Sequence, residues 1–193
     1  MTLIAKNQLG YKNLIKLISK SQIVGKTSGI PVIETEWLAE HSDGLIALSG
    51  GFRGHIGKAV LDTNHDLFLK RIKYFQKIFK EDFILEISRI NRPQEDLYND
   101  YILSKAGELG LPVVASNEVR FIDKEDYEAH ETRVCIQKGE VLSDTRRTRS
   151  YFEDQYFLSP EEMYEKFKDI PEVLSNAYDC LLYTSDAADD TCC

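Results

Sequence analysis

The chain has 193 residues, 42% apolar and 29% charged, with 11 Gly and 5 Pro, which excludes disorder, collagen-like repeats and low complexity. Its net charge of -8 makes it a poor binder of phosphate backbones by bulk charge. No apolar run approaches the ~20 residues of a membrane span, and Met1-Thr2-Leu3-Ile4-Ala5-Lys6-Asn7 lacks the apolar stretch of a secretory signal.

In chain order, Leu14, Ile15, Leu17 and Ile18 recur at helical spacing and predict an amphipathic helix over 11–20. Residues 21–33, with Gly25, Gly29 and Pro31, read as a loop, and Thr35 is placed to cap a short helix ending at Glu40. The apolar run 45–49, closed by Gly50-Gly51, predicts a buried parallel strand, followed by a short helix over 56–61. A longer helix is expected over 66–79, with Leu67, Ile72, Phe75 and Phe79 inward. A second strand is expected at 83–87, a helix over 95–109 stopped by Gly110, and a third strand at 111–117. A helix over 124–136 follows, with Gly139 just after it, then a polar loop over about 142–150. Ser159-Pro160-Glu161-Glu162 reads as cap, first-turn proline and acidic first turn of a helix to about Lys168, and Pro171 opens another.

Three of the four cysteines, Cys180, Cys192 and Cys193, lie in residues 180–193. That tail carries Asp186, Asp189 and Asp190, has no Lys or Arg, and breaks the preceding helical pattern. It resembles the conceptual translation of a transposase adapter used in shotgun sequencing, and it is set aside as disordered and foreign to the fold. The other reading is a natural acidic tail whose CC pair holds metal. Without the tail the chain is less acidic and keeps one thiol, Cys135, so no intramolecular disulfide forms and a reducing cytoplasm fits.

Three strand–loop–helix units in succession argue for a parallel α/β sheet or barrel. Ligands of such folds bind at the carboxyl ends of strands, here just after Ser49, Ile87 and Asn117. After the first strand, Gly50, Gly51, Gly54 and Gly57 allow an anion cradle or, as the simpler reading, a tight strand-to-helix turn. The loop lacks the Lys-Ser/Thr ending of a P-loop and the spacing of a dinucleotide fingerprint. After the third strand, Glu118 and Arg120 fall on one side of the chain and make a ready ion pair, but a poor metal site, because Arg supplies no lone pair. His41, His55, His65 and His130 are scattered, and no H-x-H, H-E-x-x-H or C-x-x-C occurs before the tail. Cys135, between Val134 and Ile136 in mid-helix, reads as a core thiol.

A longer set of motifs stands in one order. It comprises Leu3-Ile4-Ala5-Lys6-Asn7, Gly10-Tyr11-Lys12-Asn13-Leu14, Leu17-Ile18-Ser19-Lys20, the run 44–50 and the run 110–115. It continues through Asn117, Val119-Arg120-Phe121-Ile122, Ala129-His130-Glu131 and Ser159-Pro160-Glu161-Glu162-Met163. From residue 2 to Asp179 the chain resembles the later part of the PHP (polymerase and histidinol phosphatase) domain of bacterial replicative polymerase alpha subunits. The resemblance implies a distorted (βα)7 barrel, TIM-like and here incomplete at its N-terminus, over residues 1–179. Metal-binding members carry Cys, Asp and His where this chain has Gly51, Glu118 and Arg120. These three are therefore read as vestigial metal-site positions, with a Glu118–Arg120 salt bridge replacing the metal.

The resemblance further implies a magnesium-dependent DNA polymerase as the parent chain, with its catalytic carboxylates outside this segment. The segment would serve as scaffold and docking site for the proofreading exonuclease subunit among the other replicase subunits, in the cytoplasm, reaching DNA through the parent chain. A metal-dependent PHP phosphoesterase or 3'-5' exonuclease is the alternative, and an unrelated α/β enzyme using the glycine loop is a third. Arg146, Arg147 and Arg149 form a local basic cluster that either approaches DNA or the palm, or is a solvated loop.

Overall fold

The computed structural model describes residues 1–27 and 29–189. Strand β1 (Thr2–Ala5) leads into helix α1 (Gln8–Ile23), whose first turn is closed by Asn7 accepting a hydrogen bond from the Gly10 N–H at 3.0 Å. This helix buries Gly10, Asn13, Leu17 and Ser21, packs Leu14 partly against the core, and leaves Ile15 and Ile18 exposed, so only half of the expected apolar stripe is packed. Close approach decides the face. A Cβ on Gly10 would lie 1.8 Å from the Gly44 carbonyl oxygen, and the Asn13 side-chain amide donates to the Asp43 carbonyl at 2.9 Å.

The expected 21–33 loop contains a small hairpin, β2 (Lys26–Thr27) and β3 (Ile30–Pro31), and α2 follows (Thr35–Glu40). Thr35 is the first residue of α2 and not its cap. The cap position belongs to Glu34, with no side-chain cap bond.

Strand β4 (Leu45–Leu48) then opens the repeating part: α3 (His55–Leu61), α4 (His65–Phe79), β5 (Phe83–Ser88), α5 (Glu95–Leu109), β6 (Val113–Ser116) and α6 (Tyr127–Lys138). Helix α4 starts one residue earlier than expected, because Asn64 accepts from the Leu67 N–H at 3.0 Å. Its fully buried residue in the first turn is Phe68, with Leu67 half-buried. Gly110 and Gly139 end α5 and α6 in the left-handed region, at φ 64° and 68°. The closing helices are α7 (Pro160–Phe167) and α8 (Glu172–Asp189). Ser159 and Glu162 form the reciprocal capping box that their spacing predicts. The backbone of α8 carries helix as far as Asp189, into the segment expected to be disordered, while residues 190–193 lie outside the described residues.

The four-stranded sheet has the order β1-β4-β5-β6. The β4–β5 and β5–β6 pairs are parallel, as the strand–helix alternation predicts, whereas β1 is antiparallel to β4. Strand alternation divides the core. Leu45, Ala47, Phe83, Leu85, Ile87, Val113 and Ala115 face one way, against Phe68, Ile72, Phe75, Tyr98 and Ile102 of α4 and α5. Each large side chain buried there stabilises the fold by about 1.5–3 kcal/mol. The other face is thinner: Ile46, Ile84 and Val114 meet Ile4, Leu48, and Ala177 and Cys180 of α8. Among the described residues no helix is long and apolar enough to cross a membrane.

Candidate functional site

The carboxyl ends of β4, β5 and β6 are tied into one assembly. The Ser49 hydroxyl accepts from the Glu86 N–H at 2.9 Å, and the Tyr98 hydroxyl donates to the Glu86 carbonyl at 2.9 Å. Burial is the main cause that pushes the Tyr98 phenol above its ordinary range. The glycine loop after β4 is a tight turn, because a Cβ added at Gly50, Gly54 or Gly57 would collide. A Cβ on Gly54 would lie 2.5 Å from the Ser49 carbonyl oxygen, and one on Gly57 2.3 Å from that of Phe52. The loop's backbone thus packs against itself rather than around an anion. Gly51 differs: its φ is 57°, and a Cβ there would stop 3.9 Å from the buried Glu86 side chain.

At the end of β5 the chain turns around Glu95. This buried carboxylate accepts from the Ser88 hydroxyl at 2.9 Å and the Ile90 N–H at 2.7 Å. Burial raises its pKa, against the lowering effect of those hydrogen bonds and of the Arg92 charge. Asn91 and Gln94 take positive φ, 58° and 64°, around the turn. Arg92, only 7% exposed, lies with its guanidinium 4.7 Å from the Phe52 ring centroid and 5.7 Å from that of Phe152.

Glu118 stands at the end of β6. Its partner is Arg92, whose Nη2 donates to Glu118 Oε2 at 2.8 Å, with side-chain exposures of 4% and 18%. The expected Glu118–Arg120 salt bridge is therefore not the pair that forms. Arg120 is exposed, and its guanidinium lies 5.5 Å from the Tyr151 ring centroid. In an extended chain the two side chains would share a side, but Glu118 sits at φ 46°, a left-handed conformation that turns them apart. That conformation is held by Gln155, whose side-chain amide donates to the Glu118 carbonyl at 2.9 Å and whose own carbonyl accepts from the Arg120 N–H at 2.7 Å. Arg92 Nε and Nη1 are buried without a hydrogen-bond partner, so the guanidinium is incompletely satisfied.

These residues do not fit a metal ion. Gly51 offers no donor atom, one Glu118 oxygen is engaged by Arg92, and Arg120 points elsewhere. The fixed guanidinium charge opposes a cation at the same spot. Among the described residues no group of three or more His, Cys, Asp or Glu side chains is placed to hold a metal.

The other singled-out residues disperse. His55 and His65 are exposed, and His65 Nδ1 is 2.6 Å from the Tyr101 hydroxyl. His130 is buried in α6, where it meets Tyr151 edge-on at 4.6 Å between ring centroids. Cys135 is buried, as expected of a core thiol. The arginine cluster is not one patch: half-buried Arg147 turns its side chain in against Glu131 at 2.6 Å, while exposed Arg146 pairs with Asp144 at 3.0 Å. Arg92, Glu86 and Glu95 are the residues that the strand-end reading passed over. The signal was present, since Ile87 was one of the three strand ends and Arg92 follows it by one turn of chain.

Comparison with known proteins agrees with the motif order. Residues 1–90 match the PHP domain. Over 177 residues the chain is 47% identical to DNA polymerase III subunit alpha of Vibrio cholerae, covering 92% of this chain and 15% of that protein. It is 44% identical over 176 residues to the Escherichia coli K12 protein of the same name, and 42% to that of Pseudomonas aeruginosa, with 91% and 15% covered in both cases. The chain thus spans about 15% of the length of the curated relatives it matches.

Proposed function

We propose that this chain, PHP-matching over residues 1–90 and similar through 92% of its length to DNA polymerase III alpha subunits, is a segment of such a subunit that works without metal. On this reading the parent chain is a cytoplasmic, magnesium-dependent DNA-directed DNA polymerase that holds DNA through its other domains. The segment is the later part of a (βα)7 barrel, and its open sheet with parallel β4, β5 and β6 is compatible with that closure. Its role is to give the subunit a rigid scaffold and a docking surface for the proofreading exonuclease. Residues 180–193 are foreign to it, in keeping with a match of 177 residues that falls short of the whole chain by about the length of that tail.

The observation that carries the metal-free reading is the buried Arg92–Glu118 pair, which sets a fixed positive charge on Glu118 and over Phe52, the residue next to Gly51. The alternative is a metal-dependent phosphoesterase or 3'-5' exonuclease, and it requires those positions to collect cations. Elemental analysis of the purified full-length subunit separates the two. Zinc and manganese are expected well below one equivalent per chain, in wild type and in Glu118→Gln alike. A full equivalent of either metal that Glu118→Gln removes would reinstate the metal-dependent enzyme.

A further inference from the structure

A second recess lies outside the strand-end assembly and uses none of its residues. It is a cavity of about 540 Å³ lined by Thr35 of α2, His55 of α3, and Leu67, Lys70, Arg71, Tyr74 and Phe75 of α4. It shares Thr35, His55 and Phe75 with a smaller recess of about 180 Å³ walled by Leu3, Ile33 and Leu38, so the two are adjoining parts of one groove. The mouth is cationic and the inner end apolar. No Asp or Glu lines either part, in a chain whose net charge is -8. Among the described residues neither Lys70 nor Arg71 is paired with a carboxylate, and Arg71 spends one N–H on the His55 carbonyl. The Tyr74 hydroxyl donates to the Thr35 carbonyl at 3.2 Å, which braces α4 against α2 across the groove.

The local field agrees with this chemistry. The His55 pKa lies below its ordinary value, first because of its partial burial and then because of the neighbouring charges of Arg71 and Lys58. A positive mouth attracts an anion, and a low-dielectric wall strengthens that attraction. Phosphate alone would leave the apolar end unused, and a hydrocarbon alone would leave the cations unused. A flat aromatic ring carrying phosphates uses both ends: its face packs against Phe75 and the aliphatic wall while its charge meets Lys70 and Arg71.

We propose that this α2–α3–α4 groove binds a nucleotide, with the phosphates at Lys70 and Arg71 and the base towards Phe75. The test is photolabelling of the full-length native chain with 8-azido-ATP, followed by mass-spectrometric mapping of the modified peptides. Label is expected on peptides spanning 55–77, displaced by excess ATP and reduced by about tenfold or more in Lys70→Glu, a loss of one factor of ten in affinity. Lys70 is exposed, so this variant folds as wild type does. Absence of label from 55–77 while other regions are labelled would overturn the proposal, as would labelling indifferent to Lys70→Glu. Displacement by inorganic pyrophosphate as effective as that by ATP would also overturn it, since the aromatic end would then bind nothing.

Discussion

A single dihedral angle separates the two partners that Glu118 was in a position to choose. In an extended strand it shares a side with Arg120, and the two charges attract. At φ 46° it turns towards the buried Arg92 instead. The left-handed conformation costs a non-glycine residue about 1–3 kcal/mol, and such strain persists only where surroundings over-determine it. Here the Gln155 amide and the Arg92 guanidinium do so, at 2.9 and 2.8 Å. Removing one partner of a buried pair costs about 3–5 kcal/mol because the other charge is stranded. Glu118→Gly therefore remains destabilising even though glycine relieves the backbone. A double-mutant cycle on the full-length chain decides the pairing. Glu118→Ala with Arg92→Ala is expected to show a coupling of about 1–3 kcal/mol, and Glu118→Ala with Arg120→Ala close to none. The reverse ranking, read from denaturant midpoints, would return the pair to Glu118 and Arg120. Sequence named one member of this pair correctly. It could not name the other, because Asn91 and Pro93 mark a turn after β5, but where that turn carries the Arg92 side chain depends on the positive φ of both Asn91 and Gln94 and on the distant strand end it meets.

Elements with strong local signals were legible for a physical reason: their caps and periodicities are satisfied within a few residues of chain. The Ser159–Glu162 box, the Gly110 and Gly139 stops and the all-buried run of β5 belong to this class. The β1 strand and the β2–β3 hairpin do not. They have four and two residues per strand, and their pairing partners, not their composition, define them. A long-range clamp shows the same dependence on tertiary context. Arg89, just past β5, holds Asp169 in the α7–α8 turn with two hydrogen bonds, at 2.6 and 2.7 Å, while its guanidinium lies 4.9 Å from the Phe167 ring centroid. The Arg89 hydrogen bonds are the main cause that holds the Asp169 carboxyl down at about 2, from an ordinary value of 3.8. A carboxylate whose folded pKa is depressed stabilises the fold above its unfolded pKa and loses that contribution as pH falls through its folded one. The clamp's contribution is thus complete above pH about 4 and gone by about 2. Asp169 is more than half exposed, so solvent screening holds its contribution to about 1 kcal/mol or less. Asp169→Asn should lower the melting temperature slightly at pH 7 and leave it unchanged near pH 2. A difference that grows on acidification would contradict the assignment.

At the scale of the molecule the sheet's two faces are unequal. One face is closed by α4 and α5 over a core that includes Phe68, Ile72, Phe75, Tyr98 and Ile102. The other carries three buried aliphatics, Ile46, Ile84 and Val114, and the residues of α8 that cover them include Cys180, the first residue of the tail. The sheet is open, with β1 at one edge, and an unpaired edge is a template for association with other chains. Helix α1 adds an outward row of Tyr11, Ile15 and Ile18, each about half exposed. The barrel reading supplies a covering for the thin face in the strands that would complete the closure. Residues 1–179 expressed alone therefore lack both Cys180 and that closure, and they are expected to show no cooperative thermal transition and to associate through the open sheet. The same residues within the full-length chain are expected to melt cooperatively. A sharp transition with coincident far- and near-ultraviolet circular dichroism for isolated 1–179 would mean that the large face alone sustains the fold. In that case the similarity to a longer polymerase would not translate into dependence on it.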